Sequence, residues 1–161
     1  MRKLFFKLVL SEMERNDNII VISADMGYGL LDDIKYHFPS RFFNVGSAEQ
    51  LMVGAAAGMA MEGKLPICYS ITPFAIYRPF EFIRNLMHIE QLPIKIVGGG
   101  RDKDYGYLGH THWAEEDTKI LSVLTNLSLY KPSELYSPEE LNIIFKDCLY
   151  NNKPSYINLK K

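Results

Sequence analysis

Cysteine, tryptophan and net charge are all scarce in this 161-residue chain, which has two Cys, one Trp and a formal charge of −1 at pH 7. Cys68 and Cys148 stand far apart without the spacing of a zinc site, so they read as reduced core thiols in a reducing compartment. A charge near zero with no long basic run excludes the electrostatic footprint of a nucleic-acid or anionic-membrane binder. No stretch approaches the roughly 18 apolar residues of a membrane span. Met1-Arg2-Lys3 starts basic, but Glu12, Glu14 and Arg15 follow too soon for a secretory signal, and no small-residue cleavage site appears. Internal repeats, low-complexity tracts and Pro/Gly/Ser linkers are also missing. These absences lead to the expectation of a cytoplasmic protein.

What is present is ordinary in bulk: 47% hydrophobic and 23% charged residues, enough for one globular domain over residues 1–161 with a full core. Helical and strand patterns alternate along it. Leu4, Phe5, Leu8, Val9 and Met13 at helical spacing predict a helix over Arg2 to Arg15, closed by Asn16-Asp17-Asn18. Ile19 to Ile22 is a β-branched run ending at Ser23-Ala24-Asp25, the pattern of a buried parallel strand. Further strands are expected at 42–45, 65–69, 94–97, 127–130 and 155–159. Helices are expected at 31–37, 49–61, 74–90 (irregular near Pro79), 115–124 and 138–150. Such alternation predicts an α/β fold of three layers, a mostly parallel sheet with helices on both faces. Ligands of these sheets gather outside the carboxyl ends of the strands. Asp25, Glu49, Phe74, His110 and His112 all fall there.

The richest stretch is Asn44-Val45-Gly46-Ser47-Ala48-Glu49-Gln50 and the helix it opens, which carries no polar side chain from Leu51 to Met61. A helix apolar around its circumference is buried. Gly54 and Gly58, on one face, would admit close approach of another backbone, at about 1 kcal/mol each in helix propensity. Glu49 is then a carboxyl where water is scarce, and burial without a cation favours its protonated form, so it could exchange a proton with a bound nitrogen. The plainer alternative is an acid at a helix N-terminus, favoured by the dipole or capping the first turn.

Other motifs carry less. Gly98-Gly99-Gly100 lacks both GxGxxG order and a P-loop lysine, and reads as a close-approach turn. His110-Thr111-His112 offers no clear third metal ligand, so hydrogen-bonding or acid–base work suits these histidines better. Phe74, Tyr77 and Phe80, three apart on a helix, could be core or a wall for a flat heterocycle. A GxSxG nucleophile elbow is absent.

Taken together, these segments resemble the pyrimidine-binding domain of the transketolase family of thiamine-diphosphate enzymes, which includes 1-deoxyxylulose-5-phosphate synthase and the split transketolases. The likeness runs over nearly the whole chain. Arg41 to Gln50 resembles the segment ending in G-x-A-E-Q, Ser23-Ala24-Asp25 the S-A-D turn, Arg78 to Asn85 the R-A-Y-E-Q-I-R-N helix, Gly109 to His112 the G-x-T-H loop end, and Lys131 to Glu134 the P-S-D turn. The resemblance implies that Glu49 hydrogen-bonds the N1′ nitrogen of the aminopyrimidine, that Phe74 stacks on that ring, and that Asp25 and Tyr77 lie near the cofactor. It also implies that His112 faces the substrate carbonyl, with His110 beside it and Arg2 near a substrate phosphate. Catalysis is then assigned to Glu49 and His112. The cofactor supplies the electron sink.

Departures bear on substrate. The family's loop aspartate that reads a substrate hydroxyl is matched by Leu108, its early loop histidine by Gly100, and a phosphate-binding serine by Gly29. The Gly-Asp-Gly and Asn segment that holds Mg²⁺ and the diphosphate is missing, as is a third, carboxy-terminal domain. The resemblance therefore implies a separate diphosphate-binding partner subunit carrying the Mg²⁺, with the pyrimidine subunit itself dimeric inside a heterotetramer, and no metal site on this chain. The expected activity is two-carbon ketol transfer in carbohydrate metabolism, on a sugar. A subunit of a 2-oxo acid decarboxylase, or a non-catalytic protein that kept the fold, are the alternatives.

Overall fold

The computed structural model describes residues 1–161. Its elements are α1 (Arg2–Met13), β1 (Ile19–Ser23), α2 (Asp32–His37), β2 (Phe42–Asn44), α3 (Glu49–Met61), β3 (Leu65–Ile71), α4 (Thr72–Tyr77), α5 (Phe80–Phe82) continuing as a π-helical turn over Ile83–Ile89, β4 (Lys95–Gly99), α6 (Asp117–Leu121), β5 (Ser128–Tyr130), α7 (Pro138–Tyr150) and β6 (Ser155–Leu159). The six strands form one sheet in the order β2-β1-β3-β4-β6-β5, and every pairing is parallel.

Side chains one apart in a strand face opposite ways, and the two faces of this sheet feed two separate cores. Ile20, Ile22, Cys68, Ile96 and Tyr156 point to a layer made by α3, α4 and the π-helical turn, through Met52, Val53, Ala56, Ile76, Ile83 and Met87. Ile19, Val21, Ile67, Tyr69, Val97 and Ile157 point to the layer of α1 and α7, through Phe5, Val9, Phe145 and Leu149. Phe5 and Phe145 join the two outer helices edge to face at 5.1 Å. Cys68 and Cys148 are free thiols on opposite sides of the sheet, and burial pushes the Cys148 thiol up to about 12.

Three expectations are corrected. The helix expected over 74–90 is broken: α4 stops at Tyr77, Pro79 has no N–H to continue the ladder, and the chain resumes with π-helical winding. The α3 helix is not buried on all sides, since Leu51 is 58% and Met61 73% exposed; the sheet uses one face of an all-apolar helix. Gly54 does admit close approach, but of the Phe82 ring, 3.2 Å from where its Cβ would lie, and Gly58 faces open space.

The Gly98-Gly99-Gly100 run has a packing cause. A Cβ on Gly98 would lie 2.6 Å from Thr72 Oγ1, and one on Gly99 2.7 Å from the Tyr69 hydroxyl on the opposite face. Gly100 has φ +91°, and a side chain there would run into the Tyr105 ring. No helix is long and apolar enough to cross a membrane.

Candidate active site

Glu49 is the first residue of α3, at the carboxyl rim of the sheet, and is 3% exposed. Its carboxylate does not cap its own helix. It accepts from Arg78 Nη1 at 2.9 Å on both oxygens, and Ser70 Oγ lies 3.4 Å from Oε1. The expectation of a buried acid without a cation is thereby overturned: the guanidinium supplies one. The helix N-terminus also favours a negative charge at this position.

Arg78, which the sequence marks only as the start of a family-like helix, joins Glu49 here with no motif to announce it. It follows the last residue of α4, four positions after Phe74, and its guanidinium lies 4.0 Å above the Phe74 ring. An Arg four positions beyond an aromatic residue falls on the same helix face, and that spacing was available in the sequence. Phe74 in turn meets His112 edge to face, with ring centroids 4.9 Å apart. Beyond His112 stands Tyr105, ring centroids 6.2 Å away and tilted. Arg2 Nη1 donates to the Tyr105 hydroxyl at 3.0 Å and to the Tyr69 hydroxyl at 3.3 Å. A continuous line of contacts thus runs from Ser70 and Glu49 through Arg78, Phe74, His112 and Tyr105 to Arg2.

Arg2 opens on a cavity of about 600 Å³ that is also lined by Lys161, Tyr69, Asp25, Tyr28 and Gly29. Burial pushes the Tyr69 phenol up, and the neighbouring Arg2 charge opposes that shift. Asp25 adopts a left-handed φ of +52° at the end of β1. Its N–H donates to Asn44 Oδ1 at 3.1 Å, and the same oxygen accepts from Gly46 N–H at 3.0 Å. One amide oxygen therefore ties the turn after β1 to the segment that delivers Glu49.

Two sequence-derived candidates lie elsewhere. His110 is exposed on a short 3₁₀ turn and makes no side-chain hydrogen bond or ring pairing with the residues above, whereas His112, two positions on, turns inward to Phe74. Tyr77 packs against the core, and its hydroxyl is buried with no hydrogen-bond partner. Burial, with the charge of nearby Glu116, pushes that phenol up. The aromatic neighbour of His112 on its far side is Tyr105, from the loop after β4.

The loop and α4 are held by buried polar contacts beneath them. Thr72 Oγ1, at the start of α4, donates to the Gly100 carbonyl at 2.6 Å. Asn158 Nδ2 donates to the buried carboxylate of Asp117, which also accepts from the Tyr156 hydroxyl at 2.7 Å. Arg101 Nε donates to Asn158 Oδ1 at 2.9 Å, and its Nη1 to the Pro132 carbonyl at 2.9 Å. A network satisfied at each of these groups fixes the relative placement of Phe74 and the His112 loop.

The residues present fit a flat nitrogen heterocycle. Glu49 is a buried acceptor pair, Phe74 is an aromatic face beside it, and the planar, N–H-bearing guanidinium of Arg78 makes both contacts at once. An aminopyrimidine presents a flat face and a ring nitrogen that bonds a carboxyl group when one proton lies between them.

The chain belongs to the family described as "Transketolase, pyrimidine binding domain", whose model matches residues 1–161. It is 33% identical over 162 residues to a "Putative transketolase C-terminal section" of Methanocaldococcus jannaschii, covering 100% of this chain and 50% of that protein. It is 29% identical over 160 residues to the "6-deoxy-6-sulfo-D-fructose transketolase subunit SqwH" of Clostridium sp. strain MSTE9, covering 99% of this chain and 49% of that one. The chain therefore spans about half the length of these relatives. Among solved structures, it superposes on a "Split gene transketolase, inactive beta4 tetramer" with a TM-score of 0.84 and 31% identity, covering 99% of this chain and 50% of that one. The transketolase of Leishmania mexicana, 20% identical with a TM-score of 0.86, shares the fold.

Proposed function

We propose that this chain is the pyrimidine-binding subunit of a two-chain, thiamine-diphosphate-dependent transketolase-like transferase. The observation that carries the reading is the Glu49 carboxylate, 3% exposed at the carboxyl rim and joined through Arg78 to the Phe74 ring, which in turn meets His112. In this reading Glu49 bonds the pyrimidine N1′ and holds the tautomer that activates the cofactor, Phe74 supports the ring, and His112 faces the reacting carbonyl. The bound cofactor supplies the electron sink for transfer of a two-carbon ketol unit.

A separate diphosphate-binding subunit supplies the Mg²⁺ and diphosphate site. Support comes from the relatives, two of which are named as a section or subunit of a transketolase. The exposed Leu51 and Met61 face of α3 is an apolar surface suited to a partner chain or a second copy. Arg2 and Lys161 give the cavity cationic walls, which suits an anionic sugar.

The test is reconstitution. Mixing the chain with its diphosphate-domain partner, Mg²⁺ and thiamine diphosphate should give ketol transfer, and Glu49→Ala should abolish it. Release of CO₂ from a 2-oxo acid with no ketol transfer would move the assignment to the decarboxylase alternative. Undiminished activity of Glu49→Ala would remove the catalytic role.

A further inference from the structure

Glu49 has to meet a ring nitrogen if the proposed function holds, yet its carboxylate already has a partner. Arg78 Nη1 bonds both oxygens at 2.9 Å while its guanidinium covers the Phe74 ring at 4.0 Å. A planar, delocalised group there occupies both the carboxylate edge and the aromatic face that a heterocycle would need. A ring and the guanidinium cannot share that carboxylate edge and that aromatic face.

We propose that Arg78 is a specificity-determining residue, the resting occupant of the heterocycle site, which only a ring able to bond Glu49 can displace. The inference rests on the roles assigned above to Glu49 and Phe74 and adds a residue to them.

Burial fixes which partner moves. The side chain of Glu49 is 2% exposed and that of Arg78 47%. The carboxylate has nowhere to go, whereas the guanidinium ends a long flexible stem with one side open to water. Arg78 stands at the break between α4 and α5, with Pro79 next in the chain, and its backbone is already helical at φ −63°. The exchange therefore needs only side-chain rotation. Ser70 Oγ, 3.4 Å from Oε1, stays behind to keep the carboxylate aimed.

Chemistry fixes what can replace it. A buried carboxylate left without a partner is strongly unfavourable. A plain aromatic ring could take the Phe74 face but would strand Glu49, and an aminopyrimidine offers both the face and a nitrogen edge. Arg78 thus weakens every displacing ligand by one common factor, the inverse of the fraction of chain in which the site stands open. A ring that leaves Glu49 unpaired, the weaker binder to begin with, is the first to fall below useful affinity.

The test uses the whole chain, ¹⁵N-labelled, titrated with 4-amino-5-hydroxymethyl-2-methylpyrimidine and, as a ring without nitrogen, benzyl alcohol. Wild type should bind the pyrimidine alone, with the Arg78 Nε–H signal moving as the site fills. Arg78→Met, which keeps the apolar stem, should bind the pyrimidine about tenfold more tightly and begin to bind benzyl alcohol. Arg78→Lys, which keeps the charge without the plane, should change in the same direction by less. Unchanged or weaker pyrimidine binding by both variants, with Glu49→Gln still abolishing it, would overturn the role of Arg78 and leave that of Glu49 standing. Binding indifferent to Glu49→Gln and Phe74→Ala, or no binding by any form, would overturn both.

Discussion

Arg2 and Tyr105, 103 positions apart in the chain, meet at 3.0 Å, the guanidinium donating to the phenol oxygen. Through this one bond the start of α1 is tied to the loop that carries His112, and the Tyr69 hydroxyl at 3.3 Å adds β3 to the same point. Under the proposed function, a cation so held has its direction set before an anionic sugar arrives, which reduces the ordering that binding must otherwise impose.

Replacing it should therefore show in substrate affinity. Arg2→Gln in the reconstituted enzyme should raise KM for an anionic sugar about 10- to 100-fold, the range of a lost charged hydrogen bond, with kcat and cofactor affinity little changed. Steady-state kinetics against a neutral sugar, whose KM should hardly move, checks the assignment.

Glu49 responds to length as well as charge. Glu49→Asp keeps the carboxylate but draws it back by one methylene, out of good hydrogen-bond geometry. Both Glu49→Asp and Glu49→Gln should lower kcat by about 10²-fold or more while leaving the circular dichroism spectrum unchanged. A kcat within twofold of wild type for Glu49→Gln would remove proton chemistry from this residue.

How much of this was legible in sequence can be read residue by residue. β1 is plain because Ile19 to Ile22 is buried on both faces, and all six strands fall within a few residues of expectation. The burial of Glu49 is legible because, past Gln50, nothing polar follows it in α3. Its cation was legible only in part: the four-residue spacing sets Arg78 over Phe74, but the pairing with Glu49, 29 positions away, depends on how α4 and α3 meet in the fold. His112 and His110 have the same type and nearly the same place in sequence; only the fold of the 3₁₀ turn decides which one faces Phe74. Tyr105 gave no motif at all, yet it fills the room that Gly100 leaves at φ +91°.

Away from the site, Lys95 begins β4 fully buried, its Nζ donating to Asn151 Oδ1 at 2.7 Å and to the Lys153 carbonyl at 2.6 Å. Burial brings this amine down to about 8. In the unfolded chain it titrates near its ordinary 10.5, so between those values the unfolded state binds more protons and stability rises with pH. The stability of wild type relative to Lys95→Met should climb from pH 8 to about 10.5, by at most about 1.4 kcal/mol per pH unit. Urea unfolding of both proteins across that range checks the sign; a flat or falling difference would contradict it.

Phe145 tests the opposite core layer. It is 0% exposed and joins α7 to Phe5 of α1. Phe145→Ala should cost about 3–5 kcal/mol of unfolding free energy, seen as a lower urea midpoint with little change in slope. Cofactor affinity of the surviving folded fraction should be unaltered.

The single direction shared by all six strands separates two jobs in space. Lys95, Asn151 and Ser155 cluster where strands begin, while the groups assigned to chemistry gather where strands finish. Changes at the starting rim can adjust thermal endurance without re-aiming a reacting atom. Changes at the exposed loop positions Tyr107 and Leu108, beyond the buried Arg101–Asn158 contacts, can alter which molecules are admitted without loosening the sheet. Durability and selectivity in this molecule are thus open to independent variation.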